Sequence, residues 1–448
     1  MFPILLRSVG LPLLKLLSIA ALLLGVLMWA AHRVWAQDGK AGAAEDEKGT
    51  ADDKGAADEK PDDADQPEEP AAVVNLGNYQ YLAPKVDRTQ KKVETQIHQI
   101  AEKETYDPGE QAQFDQFFRT YFFPGWADPT AISKVPEQRK NLRTFFSQTR
   151  NDQIHDHLLT LSMQFLKILA EKNFHPATRY NAVLAIGDLN ESEVTIEGAV
   201  HKPAVPHAGA LALLVEWVKK GPSDAARVAA LRGLLRHCTL GIANAQARDT
   251  AVIPALLEVA KSRPPKDRSP EGHAWMRTLA IQSLAALKAP GVASNAAVGP
   301  NGVVDAMVAT VGDPASPLPV RCAAARALGS IAPAPQFATT PAQLAALLRQ
   351  LTADFCAAEL AREKKFPDTP VFRREIRQRL DDIKTAVEGK ESGQPLGDAA
   401  ADLSAEVRSL IAQLDAKEVP TDEVMAADIE KTLNKLRVQT PAGAAATP

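Results

Sequence analysis

Histidines, cysteines and arginines are the residues of this chain whose types and spacing could do chemistry. His155 and His157, in the stretch IHDHLL, offer two imidazoles, and Asp156, His175, His201 or His207 could complete a metal set. Residues two apart on a helix point about 200° apart, so this pair is not expected to share one ion. The expectation is a helix N-terminal turn with solvated histidines and no metal. Cys238, Cys322 and Cys356 are widely spaced, with no CxxC or CxxCH, so neither zinc, haem nor a disulfide framework is implied. Each lies in an Ala/Leu-rich segment, where a cysteine serves as a small buried hydrophobe. Arg321 beside Cys322 in VRCAAARALGSIA is the stretch that most resembles a reactive pair.

Familiar chemical motifs are missing from the sequence. There is no GxxxxGK[ST], no GxGxxG following a strand pattern, no GxSxG and no HExxH. No nucleophile can be paired with a base, so no catalytic residue and no cofactor is expected. Net charge is -4, and it is unevenly spread. Residues 38–70 hold 13 Asp or Glu against 4 Lys, whereas the chain after residue 70 is close to neutral. That balance gives no electrostatic basis for nucleic-acid binding.

The arginines answer to a longer rhythm. VRCAAARALGSIA aligns with TRYNAVLAIGDLN around Arg179, ARVAALRGLLRHC around Arg227 and MRTLAIQSLAALK around Arg277. Successive arginines, ending at Arg321, are 48, 50 and 44 residues apart. Three positions on stand Ala182, Ala230, Ala280 and Ala324; six on, the small residues Ala185, Gly233, Ser283 and Ala327. Seven on stand Ile186, Leu234, Leu284 and Leu328. These offsets share one helical face, so each copy predicts a helix closely packed on one side. An amphipathic segment precedes each copy, namely HLLTLSMQFLKILA, AGALALLVEWVKK, AVIPALLEVA and GVVDAMVATV. The unit is therefore a helical hairpin, repeated at least four times. Cys322 has no counterpart in the other three copies, which makes it incidental to the unit.

This pattern resembles the HEAT-repeat family. The resemblance rests on the arginine column, the small residue at +6, the aliphatic residue at +7, and Gly187 and Gly329 at +8; Leu235 and Ala285 depart from the glycine. It covers residues 152–332, and reaches 388 if TPAQLAALLRQLTADFCAAELAREKK opens a fifth, degenerate copy. The family implies an all-α fold, an armadillo-like α-solenoid. It also implies a structural arginine, its stem between helices and its head held by a neighbouring loop. The head is expected to find carbonyls or carboxylates, with Asp188, Asp224 and Asp313 near the turns as candidate partners. Four arginines lining a groove for an anionic partner is the alternative.

Other segments frame the repeats. Residues 1–36 read as a signal peptide cleaved after Ala36, or as an uncleaved anchor over 16–35: LLSIAALLLGVLMWAA is 16 residues without a charge, a helix of about 24 Å against a hydrocarbon core of roughly 30 Å. Residues 37–74 read as a disordered acidic linker and 75–151 as a helical N-terminal cap. Within the cap, Phe114, Phe117, Phe118 and Tyr121 form a helical stripe stopped by Pro124-Gly125. Residues 152–388 hold the repeats, 389–399 a linker, 400–438 a C-terminal helical hairpin and 439–448 a loose tail. That hairpin is expected to cap the last repeat, or else to serve docking.

The connections between hairpins are long, above all 190–207 (NESEVTIEGAVHKPAVPH), so one side of the array gathers loop length. The expectation is a non-enzymatic protein-protein interaction scaffold of the cell envelope, meeting its partner through that side or the groove beside it. Membrane contact is expected only through the N-terminal segment. An enzyme or enzyme accessory is one alternative; a small-ligand carrier using residues 114–126 is another.

Overall fold

The computed structural model describes residues 73–76, 78–84, 90–197, 200–362, 370–389, 393, 395–416 and 422–439. Residues 1–36, where the export signal or anchor is expected, nearly all of the expected acidic linker and residues 440–448 of the tail lie outside the described residues. Helix dominates the rest, as an Ala- and Leu-rich composition favours. Among the described residues, no helix is long and apolar enough to cross a membrane.

The chain enters on an antiparallel pair, β1 (Val73–Leu76) and β2 (Tyr79–Leu82), in the register Val73↔Leu82 to Leu76↔Tyr79. This corrects the linker boundary at 74, which cuts through β1. The hairpin is tied down by backbone bonds from Gln80 to Asn173 (2.8 Å) and from Leu82 to Ala127 (3.1 Å). Helices α1 (Gln90–Ala101), α2 (Pro108–Phe117) and α3 (Val135–Gln148) follow. A capping box, in which Asp107 and Glu110 satisfy each other's backbone N–H, starts α2.

The helix that carries the aromatic stripe stops at Pro124-Gly125 as expected, after passing through the proline itself. The helix widens into a π turn over Phe118–Phe122 and ends at Gly125. A proline ring clashes with the carbonyl four residues back, and a π turn moves that carbonyl, here of Thr120, out of the way. Another π turn, Arg248–Val252, precedes Pro254 in the same manner.

Five helical hairpins then run in chain order. They pair α4 (Asp152–Glu171) with α5 (Pro176–Asp188), and α6 (Ala208–Lys220) with α7 (Asp224–Leu240). Next come α8 (Ile253–Lys261) with α9 (Pro270–Leu287), and α10 (Gly302–Gly312) with α11 (Leu318–Ser330). The fifth joins α12 (Pro341–Leu360) to α13 (Pro370–Glu388). Starts are set by side-chain caps at Asn151, Ser223, Ser269 and Thr340, and by Pro176, Pro270 and Pro341 in the first turn.

Second helices pack in series: α5 on α7, α7 on α9, α9 on α11 and α11 on α13. The small columns explain how closely. A Cβ on Gly187 would sit 2.7 Å from the Gly233 Cα, and one on Gly329 would sit 2.1 Å from the Thr385 carbonyl oxygen. Backbones therefore meet where the sequence places its smallest residues. Ala182, Ala230, Ala280 and Ala324 are fully buried, and Ile186, Leu234, Leu284 and Leu328 lie in the same core. The chain closes with α14 (Ala401–Leu414) on α13 and α15 (Asp422–Gln439) on α12.

Candidate interaction site

Each arginine of the column reaches a helix-end carbonyl, although Arg227 leaves its buried Nε without a hydrogen-bond partner. Arg179 Nε donates to the Ala170 carbonyl at 3.1 Å, Arg277 Nε to Ala260 at 2.8 Å and Arg321 Nε to Val311 at 2.9 Å. Arg227 reaches the Lys219 carbonyl through Nη2 at 3.5 Å. Every acceptor lies in the last turn of the first helix of the same hairpin, where carbonyls lack intrahelical donors and the helix dipole favours a cation. Two heads also bridge onward: Arg277 Nη2 donates to Ser316 Oγ at 3.0 Å, and Arg321 Nη1 to Asp354 on α12 at 2.8 Å.

Two of the three candidate acids, Asp224 and Asp313, act on the column by charge, while their hydrogen bonds go elsewhere. Asp224 forms a bidentate pair with Arg268 at 2.6 and 2.7 Å. Asp313 accepts from Ser316 Oγ at 2.8 Å, the hydroxyl to which Arg277 donates, and its charge also acts on Arg277 and Arg321. Asp188 acts on Arg236 instead.

A fifth arginine escaped the sequence comparison. Arg379 Nη1 donates at 3.3 Å to Glu359, a carboxylate in the last turn of α12 that is 1% exposed. Burial pushes the Glu359 carboxyl up, while Arg362 and Arg379 pull it back. Asp382 and Thr385 stand where the other copies carry alanine and a small residue, so the register was masked.

The histidines separate, and they are not solvated. His157 accepts from Tyr106 Oη on Nδ1 at 2.6 Å and donates from Nε2 to Asp115 at 2.9 Å. This chain ties α2 to α4; burial pushes the Tyr106 hydroxyl up, which unsuits it as a nucleophile. His155 is 7% exposed and packs edge-on against Phe146. The leucines around them draw this turn into the core. Among the described residues, no group of three or more His, Cys, Asp or Glu could hold a metal. All three cysteines are free and buried, and burial pushes each thiol up to about 12.

The aromatic run closes on itself. Phe114, Phe118, Phe123 and Trp126 are fully buried, Phe123 stacks on Phe165 of α4, and Thr178 of α5 donates to the Trp126 carbonyl at 2.8 Å. Phe117 and Trp126 are both packed in that core. A crevice of about 310 Å³ runs along its flank, lined by Tyr121, Phe122 and polar residues including Glu94, Asp128 and Gln138.

Residues 190–206 depart most from expectation. Instead of a loop they form strands: β3 (Asn190–Ser192) pairs with β6 (Val205–Pro206), and β4 (Thr195–Glu197) with β5 (Val200–Lys202), all antiparallel. A bulge between Asn190 and Ser192 bends this arm. β-branched residues in VTIE and VHK account for the strands. Opposed residues share a face, so Ile196 and His201 lie together, and Thr195 lies with Lys202. Val194, Ile196 and Val200 are 58%, 65% and 57% exposed, among the most exposed large aliphatic side chains described. Neither face of the outer arm buries its apolar residues.

The root of the arm is built differently. β3 packs on α4 and β6 on α7. Asn190, 4% exposed, donates from Nδ2 to both oxygens of Glu193 at 2.9 Å and accepts on Oδ1 from Arg236 Nη2 at 2.7 Å. Arg236 Nη1 also donates to the Gly187 carbonyl at 3.2 Å. Glu193 Oε1 stands 3.9 Å from His155 Nε2. The contact with Glu193 holds the His155 ring above its ordinary value against burial. Burial would raise Glu193, but His155 and Asn190 outweigh it and hold the carboxyl low. Burial, aided by Arg236, presses His237 down to about 4. A rigid polar root thus carries an apolar ribbon into solvent.

No protein-family model, no curated protein and no solved structure matches this chain.

Proposed function

We propose that this protein is a non-enzymatic interaction scaffold of the cell envelope, a HEAT-like α-solenoid whose arm at 190–206 meets a protein partner. The observation that carries the reading is the exposure of Val194, Ile196 and Val200 on a ribbon whose root is held by buried hydrogen bonds. Exposed aliphatic side chains on an anchored ribbon are a ready surface for a partner, and the free edges of a two-stranded ribbon can accept a further strand. Helical hairpins stacked in series support the solenoid reading, and the clamped arginines support a structural role for that column.

The test is affinity capture from envelope extract with the full chain and with a variant lacking 191–203, read by mass spectrometry. The deletion should leave the helical unfolding transition in place and remove a defined set of captured proteins. Identical sets from both chains would overturn the reading.

A further inference from the structure

The proposed docking role of the arm opens a question about its control. His155 lies on α4 with its side chain 9% exposed, and its Nε2 has no hydrogen-bond partner. That nitrogen faces the Glu193 carboxylate at 3.9 Å, too far for a hydrogen bond and close enough to become one with a small rotation. Glu193 sits between β3 and β4 and is joined through Asn190 to Arg236 on α7. A proton on His155 therefore completes a chain from α4 through the arm root to α7.

We propose that His155 and Glu193 form a protonation-controlled latch that fixes the root of the arm in mild acid and frees it in mild alkali. This rests on the arm being the docking element, and it makes partner capture stronger as pH falls.

The charged groups around the pair come from every packed element. Asp156 on α4 lies 3.7 Å from His155 Nδ1 and favours the cation, as does Glu193. Burial holds the His207 ring, at the start of α6, below its ordinary value; Glu191 opposes that shift and His155 adds to it. Arg236 on α7 stabilises the Glu193 carboxylate; Asp188 on α5 and Arg143 on α3 act on Arg236 in opposite senses. The ring of Phe146 on α3 adds no charge.

The sign follows from the two directions. His155 is held above its ordinary 6.5, so its contribution is complete below 6.5 and fades as pH rises through its folded value. Glu193 is held below its ordinary 4.5, so its contribution is complete above 4.5 and fades as pH falls through its folded value. The latch is closed between 4.5 and 6.5.

Amide hydrogen exchange of the full chain, read by mass spectrometry on peptides spanning 190–206, tests this without a partner. After correction for intrinsic rates, arm-root protection should be about threefold or more greater at pH near 5.5 than near 8. His155→Gln and Glu193→Gln should each abolish that difference, and Glu193→Gln, on the arm, keeps the test decisive if the core substitution fails to fold. Equal protection at both pH values in the wild type, or a pH difference that survives in Glu193→Gln, would overturn the latch. Loss of capture on deleting 191–203 together with pH-independent exchange would leave the docking role standing and remove only the latch.

Discussion

Two places where the helices are joined show opposite uses of side chains. At the turns inside the hairpins, Arg179, Arg277 and Arg321 bury or half-bury their heads against helix-end carbonyls, and Arg268 pairs with Asp224. At the connection between the first two hairpins, Val194, Ile196 and Val200 stand in water on a ribbon. Most of the charged heads are drawn in and hydrogen-bonded in one region, Arg227 Nε being the buried exception; apolar groups are outside and unpartnered in the other. Burying a guanidinium is tolerable only when its donors find partners, so the first region is legible as stability. Exposing three neighbouring aliphatic residues adds nothing to stability, which is why the second region is the better place to seek function.

Substitutions can break this contrast. The largest effect should come from Arg321→Ala, which takes the guanidinium from the Val311 carbonyl and breaks the ion pair with Asp354, leaving that carboxylate only its bond from Gln350. We expect a loss of about 3 kcal/mol in chemical denaturation, with capture by the remaining folded chain unchanged. Gly187→Ala should follow, at about 2 kcal/mol, because its Cβ would collide with the Gly233 backbone. His237, 2% exposed and pressed down to about 4, sharpens the picture through pH. Its folded value lies below 6.5, so it contributes stability above 6.5 that is lost as pH falls toward 4, with a slope of up to about 1.4 kcal/mol per pH unit. His237→Gln should flatten that slope in denaturation curves taken between those limits. Smallest of all, Val194→Ser, Ile196→Ser and Val200→Ser together should change stability by about 0.5 kcal/mol or less, since these side chains are already in water.

Much of the architecture could be read from the residues. The columns at Arg179, Ala182 and Ile186 and their counterparts carried the hairpins, because small and aliphatic residues at helical offsets mean one thing wherever they recur. The partners of the arginines were legible only as a choice between carbonyls and carboxylates; which carbonyl each head takes has no letter in a sequence. Arg379 was hidden by Asp382 and Thr385, and the chain's passage beyond Pro124 needed a π turn that no residue type announces. The arm was legible in part. Val194, Ile196 and Val200 around Gly198 carry strand preference, but a long connection between helices reads as a loop until its strands are seen paired. The root network joins residues as far apart as Asn190 and Arg236, and such a meeting appears only in three dimensions.

The most direct test of the account is a binding measurement on one captured protein, comparing the wild-type chain with the triple serine variant at Val194, Ile196 and Val200. The account predicts that the variant keeps the wild-type unfolding midpoint and binds at least about tenfold more weakly. Unchanged affinity with an intact fold would show that the partner is met elsewhere and would contradict it.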